Sequence, residues 1–190
     1  MYEVRIHGRG GQGAVLAAQL LATALVFDGK YAVSIPAFGF ERRGAPVVSF
    51  IRASEQPIRQ LTNIYAPDCI VCVDPALART VNIFAGLKRG GTLVQATSRP
   101  LAEIDVPDSV GTVGLCDAVR IATEIFGRPI TNTLMLGAFA RSTGQVSLEA
   151  LKKVIEQSDF RDAGLRQNLD ALERGYAETT VHTLERRITA

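Results

Sequence analysis

The feature that most constrains this chain is Gly8-Arg9-Gly10-Gly11-Gln12-Gly13, set between a short run of alternating apolar residues and a long apolar segment. Tyr2 to His7 reads as a strand and Ala14 to Phe27 as a helix, so the glycines form the joint between them. Glycine at such a joint accepts positive φ and lets a ligand approach the backbone without meeting a Cβ. The helix that follows points its first unpaired N–H groups at the same place. Gly8, Gly10 and Gly13 have the spacing G-x-G-x-x-G, which in a dinucleotide fold is completed by a carboxylate at the end of the second strand. Here the second strand, Tyr31 to Ile35, runs into Pro36-Ala37-Phe38, and Asp28 lies before it, at the wrong end. The fold signal stands, while the dinucleotide reading lacks its acid.

The rest of the chain continues the alternation. Val47 to Arg52 reads as a strand, and Cys69 to Val73 is a five-residue apolar run of the kind found in a central parallel strand, followed by Asp74-Pro75. The spacing predicts a helix over 77–87, strands at Thr92 to Gln95 and Val110 to Leu115, and a helix capped by Asp117 that ends near Gly127. Thr131 and Ser147 are candidate caps for two further helices, the first over Leu134 to Ser142 and the second carrying Leu148, Leu151 and Ile155 on one face. Leu165 to Tyr176 marks a final helix, with Val181, Leu184 and Ile188 extending a docked tail. The pattern predicts one α/β domain over residues 1–190, Rossmann-like, with a mostly parallel sheet, helices on both faces and a C-terminal helical segment.

Composition removes several function classes. With 47% hydrophobic residues, 190 residues can bury one substantial core. The 21 basic and 19 acidic residues nearly cancel, which argues against nucleic-acid or membrane-surface binding. No apolar run approaches the ~18 residues of a membrane span, and the start lacks the layout of a signal peptide, so a cytoplasmic location is expected. Cys69 and Cys72 are three apart on a strand and therefore face opposite ways, so they cannot grip one metal ion. Cys116 reads as packing, and three cysteines are too few for an iron–sulfur cluster held by this chain alone.

Three polar clusters converge if the ligand sits at the carboxyl ends of parallel strands: the glycine loop, the loop from Phe38 to Arg43, and Asp74. Gly8, Arg9, Gly10, Gly11, Gln12 and Gly13 would cradle an anion with backbone amides while the Arg9 and Gln12 side chains reach over it. Arg42 and Arg43 suit bidentate contact with phosphate or carboxylate. Phe38 and Phe40 beside Glu41 read as anchors against a partner. The alternative for these residues is ordinary surface pairing, and for His7 a structural role. The sequence contains no nucleophile elbow, P-loop or zinc motif, so the chain reads as a binding domain that completes a site with other chains.

His7-Gly8-Arg9-Gly10-Gly11-Gln12-Gly13-Ala14-Val15, Pro36 with Phe38-Gly39, Glu41-Arg42-Arg43-Gly44-Ala45-Pro46-Val47, Pro67-Asp68 and Val73-Asp74-Pro75 resemble the gamma subunit of 2-oxoacid:ferredoxin oxidoreductases. Asn132-Thr133 with Gly137-Ala138 extends the likeness, and Arg9 with Arg42-Arg43 is similar to the pyruvate branch. The resemblance implies a complex in which alpha, beta and delta subunits hold thiamine diphosphate, magnesium and iron–sulfur clusters, with ferredoxin as acceptor and coenzyme A as co-substrate. It implies no cofactor bound by this chain alone and no catalytic residue in it. Its implied part is to close the active site and help hold coenzyme A through Gly8 to Gly13, Arg42 and Arg43, with Phe38, Phe40, Glu41 and Asn132 toward partners. Other 2-oxoacids (2-oxoisovalerate or 2-oxoglutarate), an independent nucleotide-binding domain, and a scaffold subunit stay open as alternatives.

Overall fold

The computed structural model describes residues 1–36, 43–160 and 162–184. Seven strands form one mixed sheet: β1 (Tyr2–Arg9), β2 (Tyr31–Pro36), β3 (Pro46–Ser54), β4 (Cys69–Cys72), β5 (Gly91–Ala96), β6 (Val110–Cys116) and β7 (Thr180–Thr183). Their order across the sheet is β2-β3-β1-β4-β5-β6-β7. The centre, β1, β4, β5 and β6, is parallel, whereas β3 runs antiparallel to both β1 and β2, and β7 antiparallel to β6. The helices are α1 (Ala14–Phe27), α2 (Ala118–Phe126), α3 (Asn132–Thr143), α4 (Leu148–Glu156) and α5 (Asp162–Glu178).

The alternation of β4 shows how the two faces are filled. Cys69 and Val71 join the cluster that holds Leu21 and Leu25 of α1, Leu134 and Phe139 of α3 and Leu172 of α5. Ile70 and Cys72 face the other way, into a smaller cluster with Leu77, Ile83, Leu87 and Leu93. The two thiols thus lie on opposite faces, as strand periodicity requires. All five α-helices pack into the first cluster, and the second face is covered by residues 77–87 and 101–106, which contain single 3-10 turns at Leu77–Arg79 and Leu101–Glu103.

One expectation is corrected here. Residues 77–87 do not form an α-helix beyond the turn at Leu77–Arg79. Arg5, only 8% exposed, donates from Nη2 to the carbonyls of Ile83 and Ala85, both at 2.7 Å, and Asn82 Oδ1 accepts from the Phe84 N–H at 3.1 Å. These bonds take backbone groups that a helix would use itself, and the Asn82 bond is a turn-forming one. The tail after α5 docks as a strand, Thr180–Thr183 adding antiparallel to the β6 edge.

Caps follow the sequence with one exception. Asp117 Oδ1 accepts from the Arg120 N–H at 3.4 Å, Ser147 Oγ accepts from the Ala150 N–H at 3.1 Å, and Gly127 and Gly144 close their helices at positive φ. Thr131 does not cap α3; its Oγ1 donates to the Val73 carbonyl at 3.0 Å and ties the start of α3 to the end of β4.

Candidate functional site at the carboxyl ends of the central strands

β1 ends in the glycine loop, β4 ends at Asp74, and the β2–β3 connection returns beside them because Arg9 pairs with Pro46. The Gly10 N–H donates to the Ala45 carbonyl at 2.9 Å and the Gly44 N–H donates to the Gly10 carbonyl at 3.1 Å. The glycine loop therefore meets Gly44 and Ala45 of the returning connection, with Asp74 beside it. Of the second loop, Phe38, Phe40, Glu41 and Arg42 lie outside the described residues, while Arg43 is exposed.

Asp74 organises the meeting point. It is 6% exposed; its Oδ2 accepts from Gln12 Nε2 at 2.6 Å and faces Arg9 Nε at 3.3 Å, while Oδ1 accepts from the Ala76 N–H at 2.8 Å. Gln12 also turns its Oε1 back to accept from the Arg9 N–H at 2.7 Å. Arg9 reaches onward from Nη1 to the Gly44 carbonyl at 3.2 Å and from Nη2 to Thr80 Oγ1 at 3.5 Å. Arg9 and Gln12 are thus locked by Asp74, and the Arg9 and Gly10 amides are spent inside the protein. The remaining donors are the Gly11 and Gly13 amides and the start of α1, where Gly13 at φ 73° provides no side-chain cap. Gly13 is also where Asn132 packs: its Nδ2 lies 2.5 Å from where a Cβ on Gly13 would stand. Asn132, expected to face a partner, is 6% exposed, and its buried Oδ1 has no hydrogen-bond partner. Gly8 lets β1, β4 and α1 close together, since a Cβ there would meet Val73 Cγ2 at 2.8 Å and Ala14 Cβ at 3.1 Å.

His7 lies beneath this layer, 4% exposed, with Nε2 accepting from Arg5 Nε at 3.1 Å and no partner for Nδ1. Burial, reinforced by the Arg5 charge, lowers its pKa to about 4, so the ring is neutral at neutral pH. Burial pushes Cys72 up to about 11 and raises Cys69 and Cys116 as well, leaving three protonated, packed thiols. Among the described residues no group of three His, Cys, Asp or Glu side chains could hold a metal ion, and no helix is long and apolar enough to cross a membrane.

Sequence reasoning missed the Arg5–His7 pair, the reach of Arg9 to Thr80, and the Gln12–Asp74 bond. The alternation of β1 puts Arg5 and His7 on one face and was the available signal for the pair. The reach of Arg9 to Thr80 depends on residues 77–87 leaving the helical path. The dinucleotide alternative loses ground on topology as well. β3 lies between β1 and β2, so the end of the second strand is not beside the glycine loop, where a ribose-binding acid would have to stand.

Residues 3–178 match the family model described as pyruvate ferredoxin/flavodoxin oxidoreductase. The chain is 72% identical, over the full length of both, to the NADH-dependent phenylglyoxylate dehydrogenase subunit gamma of Aromatoleum evansii. It is 46% identical to the pyruvate/ketoisovalerate oxidoreductases common subunit gamma of Thermococcus kodakarensis, covering 97% of this chain and 100% of that one. The crystal structure of pyruvate oxidoreductase subunit PORC from Thermotoga maritima superposes with a TM-score of 0.83 at 37% identity, covering 95% of this chain and 97% of that one. The glycine loop, the mixed sheet around it and the match over nearly the whole chain agree: this chain belongs to the pyruvate ferredoxin/flavodoxin oxidoreductase family, as a gamma-type subunit.

Proposed function

We propose that this chain, a gamma-type domain over residues 1–190, serves a 2-oxoacid oxidoreductase complex whose substrate is an arylglyoxylate of the phenylglyoxylate class. The observation that carries the substrate is the 72% identity to a phenylglyoxylate dehydrogenase gamma subunit, against 46% to a pyruvate/ketoisovalerate one. Pyruvate is the second reading, favoured by the shared fold with PORC. The Thermococcus relative is named as common to two oxidoreductases, so in that protein one gamma chain serves two oxoacids. By analogy, the oxoacid pocket lies in the partner chains, and this chain's identity reports which complex it joins.

In this reading alpha, beta and delta partners carry thiamine diphosphate, magnesium and iron–sulfur clusters. Bound there, those groups supply decarboxylation and the electron path to ferredoxin or another acceptor. This chain's own part is a rigid, donor-rich face. Asp74 holds Arg9 and Gln12 in place, so that the Gly11 and Gly13 amides, the start of α1 and the exposed Arg43 meet the phosphates of coenzyme A. Arg42, outside the described residues, is proposed for the same role. Closure of this face over the partner's site excludes water from the acyl transfer.

The test is kcat/KM for phenylglyoxylate and pyruvate in the complex purified without oxygen. Phenylglyoxylate is expected to be preferred; a preference for pyruvate moves the chain to the second reading. In the same complex Arg43→Ala is expected to raise the KM for coenzyme A about threefold to tenfold, the loss of one charge-assisted contact, with the oxoacid KM unchanged. An unchanged KM for coenzyme A removes Arg43 from that role.

A further inference from the structure

The flank of the molecule formed by β2 and α1 is open. β2 is the terminal strand of the sheet, so among the described residues no strand pairs with its outer edge. Pro36, which has no N–H, stands opposite Ser49, and a proline is held in a ladder with its nitrogen turned away from the neighbour. Residues 32 and 34 share that phase, so Ala32 and Ser34 present their N–H and C=O groups outward. Sheet edges are ordinarily guarded by charge, by a bulge or by a covering segment. β2 has no charged residue, and its register on β3 is unbroken. Beside it, α1 has no charged residue over its whole length either, although Leu16, Gln19, Thr23 and Val26 are exposed. Asp28 and Lys30, between the two elements, are engaged within the chain. Asp28 accepts from the Ser147 N–H and Oγ, and Lys30 Nζ donates to the Gln145 carbonyl at 2.8 Å.

We propose that this flank binds a second copy of the chain, β2 running antiparallel to β2 across a two-fold axis at Val33. The charge pattern chooses the occupant. A face that meets its own copy sets like charge against like and is best without any, whereas unlike chains are commonly steered together by complementary charge. The register follows from the backbone. Centring on Val33 sets Ala32 opposite Ser34 of the copy and Ser34 opposite Ala32, so their outward N–H and C=O groups are met without asking Pro36 for a donor. On one face of the joined sheet Tyr31 lies against Ile35 of the copy, an aromatic beside a β-branched residue, and that contact occurs twice. There Tyr31 and Val33, with Pro57 and Ile58, line a groove of about 480 Å³ that receives the Ile35 side chain. On the other face α1, which packs on β2 and β3, turns its uncharged stripe toward the same helix of the copy. The antiparallel arrangement sends the two glycine loops to opposite ends of the joined sheet, where both stay open to other chains.

The proposal is independent of which oxoacid the complex uses. Its test is sedimentation equilibrium of the full chain, with circular dichroism to verify folding, and cross-linking of Val33→Cys by oxidised glutathione. Wild type is expected to be a dimer in the micromolar range. Val33→Lys sets two lysines face to face on the axis and is expected to give a monomer. Tyr31→Lys, at a half-exposed position, removes two cross-strand pairs and is expected to weaken the dimer about threefold to thirtyfold. Leu61→Lys, at a position 67% exposed elsewhere on the surface, is expected to leave it unchanged. Val33→Cys brings in no charge, so it retains the fold even if Val33→Lys does not. Opposed residues that do not exchange hydrogen bonds have Cα atoms about 4.5 Å apart, within reach of a disulfide, so this variant is expected to become a covalent dimer. Cys69, Cys72 and Cys116 are buried and take no part. A chain that is monomeric across the micromolar range, a dimer indifferent to Val33→Lys, or a Val33→Cys chain that stays uncross-linked overturns the proposal.

Discussion

Asp74 is the buried charge at the site, and its one carboxylate serves Gln12, Arg9 and the Ala76 N–H. Replacing it with alanine leaves Arg9 without its ion pair and Gln12 Nε2 without its acceptor, so Asp74→Ala is expected to cost about 1–3 kcal/mol in urea unfolding. Gly8→Ala acts at the same seam by overpacking Val73 and Ala14, with an expected loss of about 1–3 kcal/mol; an unchanged denaturation midpoint contradicts the close packing of β1, β4 and α1. His7 gives the seam a pH dependence. Its pKa is lowered from 6.5 in the unfolded chain to about 4 in the folded one, so between those values the unfolded state binds more protons. Its contribution is complete above pH 6.5 and is lost as pH falls toward 4, with a slope of up to about 1.4 kcal/mol per pH unit. His7→Asn is expected to flatten that part of the stability profile. Single residues of this kind were partly legible: Arg9, Gln12 and Asp74 were singled out from their places at strand ends, but who bonds to whom depends on backbone paths that the sequence leaves open.

Elements whose burial is periodic came through. The α1 boundaries, Ala14 to Phe27, and the Gly127 and Gly144 stops follow from apolar spacing and αL closure. Residues 77–87 did not, because their apolar positions fit a helix equally well as a chain laid across the sheet, and the deciding contacts come from Arg5, far away in sequence. Gly86 adds to that outcome: at φ 74° it lies against the Tyr65 carbonyl so closely that no Cβ fits. Arg5→Met is expected to unmoor the segment, leaving the Ile83 and Ala85 carbonyls without their guanidinium donor. Hydrogen exchange should show faster exchange for residues 80–88, with the α1 amides little changed. Uniform exchange across the molecule contradicts the clamp. The docked tail takes strand form because Thr180, Val181 and Thr183 favour a strand where an open edge such as β6 is offered.

At the level of the whole molecule, the insertion of β3 between β1 and β2 converts a dinucleotide-like start into a different site. The hairpin loop comes back against the glycine loop, and both stand over Asp74 at one end of the sheet. Such a face has backbone donors and held charges, and among the described residues no group of three His, Cys, Asp or Glu side chains could hold a metal ion. A chain of this kind belongs in a working 2-oxoacid oxidoreductase complex. That membership is tested most directly by isolating the assembly without oxygen through a tag on this chain and assaying oxoacid-dependent acyl-coenzyme A formation. Co-isolated chains that carry thiamine diphosphate and iron–sulfur clusters are expected, with activity that follows this chain through purification. A chain isolated alone, or one whose removal leaves the activity of the remaining subunits unchanged, contradicts it.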